Sequence, residues 1–465
     1  MVLALVMVLP MAVDYADGNP DWQVFGTSAF LVASASGFVI LVTNGHRSEI
    51  DLPTGFVLVN CLWMVTTLVA AMPYVFSDFH VSFSDAVFEA VSGLTTTGAT
   101  VLSKLETLPR GLLLWRSITQ WLGGIGIVAM GIVILPFLQI GGMQFFKLES
   151  SEKADKPIAR FQTFSRALVA IYVLLTTLNI FGYAAAGMGM FDAINHAFAT
   201  ISSGGFSTRD ASMMNEGPAV LMVGIVFMIA GALPFTMYMA LFFQTGMRWR
   251  DGQGTAMVMI ILTIAIAITI VADNRADFST PMLFLHALFN TTSLVTTTGF
   301  ASTDYLIFGP QIIGFLVIAT LVGGAAGSTA GGFKIYRVII VIEVIINAIR
   351  ELRFPHGVFP VYYRGRQVSA EGMKSVTMFM VAFLLTLLAS MVGLTLTGLD
   401  FATAFSGALS GLSNVGPGWG SVIGPSGNYA SFTDPAKWIM SATMLLGRLE
   451  IMTVVVILSP SFWRR

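Results

Sequence analysis

Four times in this chain an alanine is followed twelve residues later by a glycine inside a short polar turn: Ala86 and Gly98, Ala193 and Gly205, Ala287 and Gly299, Ala404 and Gly416. The turns read T-T-T-G-A at Thr95–Ala99, S-S-G-G-F at Ser202–Phe206, T-T-T-G-F at Thr296–Phe300 and S-N-V-G-P at Ser413–Pro417. One such turn after an apolar stretch is an ordinary loop. Four in one register, each between long apolar runs, are the sequence form of a pore, and the alternative is repeat geometry without conduction. Alanine is frequent here, so the weight rests on the repeated hydroxyl-rich glycine turn.

The setting of these turns is a membrane. Of 465 residues, 55% are hydrophobic and 11% charged, against roughly 25% charged in soluble domains; mean hydropathy is +0.80. A helix needs about 20 apolar residues to cross a hydrocarbon layer of about 30 Å. Runs of that kind are expected near 24–42, 53–75, 111–138, 167–188, 219–243, 256–272, 311–347, 372–397 and 438–458. Met1–Val13 lacks the basic region of a signal peptide and reads as part of a first membrane helix, bringing the expected spans to ten. The segments that lead into the four turns are about a dozen residues each, too short to cross, and suit helices that enter and leave on one side. Irregular backbone at that depth is tolerated only where it is buried in protein or lines water, so the turns are expected to face a cavity. The expected fold is an all-α integral membrane protein. It has an N-terminal helix pair (1–45) and four span, short helix, turn, span repeats, at 46–140, 141–246, 247–350 and 351–465.

Charge excludes some functions and orients the chain. A net charge of −1 offers no basic face for nucleic acid. The lone Cys61 allows no intrachain disulfide or multi-cysteine metal site, and reads as a small buried hydrophobe. Placing the N-terminus in the cytoplasm puts most Lys and Arg in cytoplasmic loops: Arg47, the stretch Lys147, Lys153, Lys156, Arg160 and Arg166, then Arg248 and Arg250, Lys334 to Lys374, and Arg464 and Arg465. Asp14, Asp17, Asp78, Asp85, Glu89, Asp192, Glu216 and other acids then fall at the outer face, where they would concentrate cations. Trp22, Trp115, Trp249, Trp438 and Trp463 are expected as interfacial anchors.

The chemistry of the turns suits an alkali cation. Such an ion gives up its water only if several oxygens replace it, and backbone carbonyls do so without a charge that would trap it. Glycine lets successive carbonyls point at one axis, since it accepts positive φ. Thr96, Thr97, Ser203, Thr297 and Thr298 add hydroxyl oxygens. If each short helix ends at its turn, its negative C-terminal end favours a cation.

In these residues the chain resembles the Trk/Ktr/HKT superfamily of potassium transport proteins, most closely the TrkH-type bacterial membrane subunits. The resemblance covers nearly the whole length: T-T-T-G at the first and third turns, S-S-G-G-F-S-T at Ser202–Thr208, S-N-V-G-P-G at Ser413–Gly418, and a helix pair ahead of the first repeat. It implies potassium uptake across the bacterial cytoplasmic membrane by a homodimer with one pore in each chain. It also implies a selectivity filter holding K⁺, made of Thr96, Thr97, Gly98, Ser203, Gly204, Gly205, Thr297, Thr298, Gly299, Asn414, Val415 and Gly416. Plant relatives that prefer Na⁺ carry serine at the position of Gly98, so glycine there implies K⁺. The fourth turn departs most from the pattern, and the N-terminal helix is shorter than the family's. The resemblance further implies a TrkA-like nucleotide-binding regulatory subunit docked on the basic loops around Lys147–Arg166 and Arg350–Lys374. No cofactor is implied.

Control is expected in two places. The run 311–347 is interrupted by G-G-A-A-G-S-T-A-G-G at Gly323–Gly332, and each glycine costs a helix interior about 1 kcal/mol, so this stretch is expected to unwind or hinge. A close helix contact through small residues is the alternative. The resemblance makes it an intramembrane gating loop, carried by Gly323, Gly324, Gly327, Ser328, Gly331 and Gly332, with Lys334 holding it or marking the cytoplasmic edge. Arg448 lies well inside the last span, where a cation is costly unless paired or wetted. It reads as an electrostatic gate by resemblance, or as the partner of Glu450 or another carboxylate.

Two other classes stay in view. An enzyme is disfavoured, since the five histidines are scattered and neither H-E-x-x-H nor G-x-S-x-G is present. His196 and His286 suit packing or hydrogen bonding. A secondary symporter coupled to H⁺ or Na⁺, working by alternating access, is the alternative to a channel-like path.

Overall fold

The computed structural model describes the chain except for residues 46–50, 80, 131–156, 244–251, 274–276, 364, 421 and 464–465. The expected sites Arg47, Lys147, Lys153, Lys156, Arg248, Arg250, Trp249, Arg464 and Arg465 lie outside the described residues, as do the expected boundaries between the first three repeats.

The described residues are mostly helical. Helices α1 (Val2–Val6), α2 (Val8–Ala16) and α3 (Trp22–Thr43) precede the first unit, made of α4 (Leu52–Phe76), the short α5 (Phe83–Leu94) and α6 (Arg110–Ala129). The second unit holds α7 (Pro157–Ala185), the short α8 (Met190–Ile201), α9 (Pro218–Ala232) and α10 (Phe235–Phe243). The third holds α11 (Gly252–Val271), the short α12 (Thr280–Val295), α13 (Ile313–Val322) and α14 (Ile335–Arg353). A two-stranded hairpin, Tyr362–Tyr363 with Arg366–Gln367, leads to the fourth unit. That unit comprises α15 (Ala370–Leu396), the short α16 (Phe401–Ser413), α17 (Asp434–Arg448) and α18 (Ile451–Leu458).

Helix starts follow local chemistry. Ser82 and Asp400 cap the short helices α5 and α16 by accepting from the amides of Asp85 and Thr403, which satisfies donors that a helix start leaves free. Proline stands in the first turn of α9, α12 and α17, where its missing N–H costs nothing.

Packing closes the units into a ring. Each short helix touches both long neighbours of its own unit and one helix of the unit before: α5 meets α17, α8 meets α6, α12 meets α9, and α16 meets α13. The outer faces are apolar and exposed, as at Phe30, Phe38, Leu41, Leu58 and Leu62, which suits a hydrocarbon surround rather than water.

Several expectations change. Among the described residues six helices are long and apolar enough to cross a membrane, or eight if two bent pairs count as spans, against the ten expected. The stretches 219–243 and 438–458 are not straight crossings: α9 and α10 meet at 91°, and α17 and α18 at 109°. At the first bend Pro234 cannot donate to the helix; at the second, Glu450 takes a left-handed φ of 59°. Trp115 is no interfacial anchor, because it is fully buried and its indole N–H donates to the Ala70 carbonyl at 3.1 Å. Cys61 is exposed on α4 rather than buried.

Candidate functional site

All four short helices end in the same way. Thr96, Ser203, Thr297 and Asn414 each adopt a left-handed conformation, with φ between 52° and 55°. The amide of the next residue then reaches five residues back, Thr97 to Ser92, Gly204 to Ala199, Thr298 to Ser293 and Val415 to Ser410, at 2.8–2.9 Å. This is the Schellman cap, which satisfies carbonyls that a helix end leaves orphaned. The fourth turn, most divergent in sequence, keeps the geometry because asparagine tolerates the left-handed region better than most residues. Asn414 Nδ2 also donates to Thr97 Oγ1 at 3.0 Å and to the Met444 carbonyl at 2.9 Å.

Two residues further on, Gly98, Gly205, Gly299 and Gly416 have φ of 81°, 75°, 87° and 104°. A Cβ on Gly98 would strike the Gly204 carbonyl, one on Gly205 the Thr298 carbonyl, one on Gly299 the Val415 carbonyl, and one on Gly416 the Thr97 carbonyl. Each turn therefore packs its glycine on the backbone of the next, and the fourth returns to the first. The twelve residues singled out from sequence are brought together in one closed ring of backbone. Four helix C-termini end at that ring, so their partial negative charges converge on it.

Side chains hold the ring from behind. The Thr95 and Thr97 hydroxyls pair at 2.7 Å, as do those of Thr296 and Thr298 at 2.8 Å. Gln120 Nε2 donates to the Gly204 carbonyl at 2.6 Å, while its Oε1 accepts from the Phe206 amide at 3.0 Å.

The common position of a further set of residues went unrecognised in the sequence, although His196 was expected to pack or hydrogen-bond. Seven residues before each left-handed position stand Glu89, His196, Asn290 and Gly407. Glu89 accepts from the Thr100 hydroxyl and the Val101 amide, His196 Nε2 meets Ser207 Oγ at 3.0 Å, and Asn290 Oδ1 accepts from the Ser302 amide at 3.0 Å. These three side chains tie their short helices to the chain just beyond the turn, and Gly407 in the fourth makes no such tie. The common offset from Ala86, Ala193 and Ala287 was the available signal. Glu89, expected among the acids at the outer face, is fully buried and paired with Arg116 at 2.8 Å. Other acids expected at the outer face are also paired: Asp85 meets Lys437 at 2.5 Å, and Arg209 binds both Asp192 and Glu216. Asp14 is buried and accepts from the Gly111 amide.

The glycine-rich stretch unwinds, ending α13 at Val322 and leaving Gly323, Gly327 and Gly332 at positive φ before α14 begins. It folds against the ring rather than making a plain helix contact. Thr329 Oγ1 meets Ser203 Oγ at 2.8 Å, and the Gly331 amide donates to Thr297 Oγ1 at 2.7 Å. The same loop fills the bend between α9 and α10, where the Ala325 amide donates to the Ala232 carbonyl and the Phe235 amide to the Gly327 carbonyl. Backbone groups freed by both breaks thus satisfy one another.

Arg448 ends α17 and reaches this loop, with Nη1 donating to the Thr329 carbonyl at 2.9 Å. It does not pair with Glu450. That carboxylate instead meets Arg337 at 2.6 Å, and Arg337, assigned from sequence to a cytoplasmic loop, is fully buried against the Phe379 ring. Lys334, Arg448, Glu450, Asn414 and Gly331 line one cavity of about 20 Å³, room for about one water.

Comparison with known proteins matches this architecture. The model of the TrkH cation transport protein family matches residues 23–465. The chain belongs to the TrkH family of cation transport proteins. A Trk system potassium uptake protein TrkI from Halomonas elongata is 41% identical over 100% of this chain and 95% of its own. The TrkH of Escherichia coli is 34% identical, over 98% and 96%. The crystal structure of the potassium transporter TrkH from Vibrio parahaemolyticus superposes with a TM-score of 0.91 at 32% identity, covering 100% of this chain and 97% of that one. Membership of a family of transport proteins fits the lack of catalytic motifs, and this TrkH-family chain is a multi-pass membrane protein.

Proposed function

We propose that this chain takes up K⁺ across the bacterial cytoplasmic membrane through the ring of four turns, which acts as its selectivity filter. One observation carries the reading: each turn glycine packs on the next turn's carbonyl around a closed cycle, the arrangement needed to aim backbone oxygens from four directions at one ion. The names of the similar proteins, potassium uptake proteins of the Trk system, supply the ion, and Gly98 at the position of serine in Na⁺-preferring relatives agrees with it. The filter residues are Thr96–Gly98, Ser203–Gly205, Thr297–Gly299 and Asn414–Gly416, and the quarters they close divide the chain near 140, 246 and 350.

Gly323–Gly332 acts as the gate and Arg448 as its latch, because the guanidinium holds the Thr329 carbonyl while Thr329 and Gly331 hold filter hydroxyls. Opening requires those bonds to be exchanged. The trigger falls to a TrkA-like nucleotide-binding subunit on the cytoplasmic side of a homodimer. An inside-negative potential drives K⁺ inward with about 2.3 kcal/mol per charge per 100 mV, so coupling to a second ion is unnecessary.

The two broken helices, bent at 91° and 109°, favour the second reading, a cation-coupled carrier, since carriers place sites at such breaks. Rb⁺ uptake into liposomes at a set voltage, with Na⁺ competition and with or without a pH gradient, separates the two. Voltage-driven uptake that ignores the pH gradient supports the channel-like path. Uptake that requires a H⁺ or Na⁺ gradient refutes it.

A further inference from the structure

Beyond each turn the chain runs on as neither helix nor strand, and four residues past the left-handed positions stand Thr100, Ser207, Ala301 and Gly418. The backbone carbonyl of every one accepts a hydrogen bond from the unit before it. Arg116 Nη1 of the first unit donates to Ser207 at 2.8 Å, and the Met213 amide of the second to Ala301 at 3.1 Å. The Tyr305 hydroxyl of the third donates to Gly418 at 3.1 Å, and the Tyr429 amide of the fourth to Thr100 at 2.8 Å. Four chemically different donors thus reach four equivalent carbonyls in one cyclic sense, the sense in which the glycines pack.

We propose that these bonds form a tie ring that sets the width of the filter mouth, with Arg116 and Tyr305 as positioning residues for ion selectivity. The inference rests on the reading of the four turns as a filter. Selectivity by backbone oxygens depends on where the carbonyls can move, and a stretch with no ladder of its own is restrained by lateral bonds. Two ties are made by amides and tolerate side-chain change. The other two depend on side chains that are each 1% exposed, so water cannot take over a missing donor. Arg116 is itself fixed on three sides: by Glu89 at 2.8 Å, by Thr100 Oγ1 at 3.2 Å, and by the Phe206 ring at 4.1 Å. It therefore joins the chain beyond the first turn to that beyond the second.

Tyr305→Phe removes one donor and keeps the ring, and Arg116→Lys keeps the charge but loses the fork that reaches Glu89, Thr100 and Ser207 together. Both variants of the full chain are reconstituted in liposomes at a set voltage, and Rb⁺ uptake is read against competing Na⁺, normalised to folded protein by size-exclusion chromatography. With one buried hydrogen bond lost, discrimination is expected to fall about three- to tenfold in Tyr305→Phe, while the yield of folded protein holds. Arg116→Lys is expected to lose at least as much. Gly299→Ser, in the filter itself, is run beside them. If Gly299→Ser loses discrimination while both tie variants keep it, or lose only folded protein, the tie ring is wrong and the filter reading stands. If none of the three changes it, the filter reading fails with it.

Discussion

Gly98→Ser tests the central geometry most directly. Gly98 sits at φ 81°, and a Cβ there meets the Gly204 carbonyl, a backbone atom that Gln120 also holds at 2.6 Å. An L-residue in the left-handed region costs about 1–2 kcal/mol, and the clash adds to it because neither the carbonyl nor Gln120 can swing aside as a flexible side chain would. Rotating the peptide that joins Thr97 to Gly98 relieves the strain and, in the proposed filter, moves a coordinating carbonyl. If K⁺ coordination weakens relative to Na⁺ by the strain alone, discrimination falls about tenfold, since about 1.4 kcal/mol is a factor of ten. The assay is Rb⁺ uptake by proteoliposomes at fixed voltage, titrated with Na⁺. Gly126→Ala is the companion control: Gly126 lies in α6 with open space where a Cβ would stand and no left-handed φ, so uptake and competition are expected to match the parent. Na⁺ competition in Gly98→Ser within about twofold of the parent, a difference smaller than one lost hydrogen bond would produce, would refute the idea that the four glycines set the ion path.

The remaining predictions concern the gate, the core and a helix cap. Deleting Gly327–Gly331 removes the contacts to Ser203 and Thr297 and is expected to raise basal Rb⁺ flux in the absence of any regulatory subunit; unchanged flux would separate this loop from gating. Arg448→Ala frees the Thr329 carbonyl and is expected to raise basal flux in the same direction, read in the same assay. Glu450→Gln leaves Arg337 buried without its carboxylate, and breaking such a pair costs about 3–5 kcal/mol. Its thermal unfolding in detergent is expected at clearly lower temperature, with Arg337→Met/Glu450→Gln recovering part of the loss. Asp400→Ala removes the cap of α16 and costs about 1 kcal/mol. The Asp400 carboxyl is held below its ordinary 3.8 by the neighbouring Thr403 side chain and by the Thr403 amide, which donates to it at 3.1 Å. Its contribution is therefore present above that ordinary value and lost as pH falls through the lowered one, so the variant and the parent are expected to converge in stability only in strong acid.

Much of this molecule was legible from the pattern of small and hydroxyl residues. The Schellman caps follow from local sequence, because a helix that ends before T-T-T-G or S-S-G-G has few other ways to satisfy its last carbonyls. The unwinding at Gly323–Gly332 followed from helix propensity alone. The bend at Pro234 was hidden because hydropathy continues across it, and an apolar run reads the same whether it crosses or turns; at the second bend Arg448 and Glu450 interrupt the run, but two charges in a span give no angle. Arg448 and Glu450, two residues apart in sequence, looked like a pair, yet the chain bends between them and sends one to Thr329 and the other to Arg337.

A membrane-embedded helical chain, four units in register, and glycines where the backbone had to turn left-handed could all be read from the order of residues, because hydrophobicity and φ preference are properties of single residues and their neighbours. Only the folded chain shows that the fourth turn closes on the first, that Glu89 and Arg116 lie buried together, and that the tie donors are as different as an arginine, a tyrosine and two amides. Those facts depend on which carbonyl faces which donor across the ring. Contacts between units far apart in the chain leave no periodic trace when each unit meets the same need with a different group.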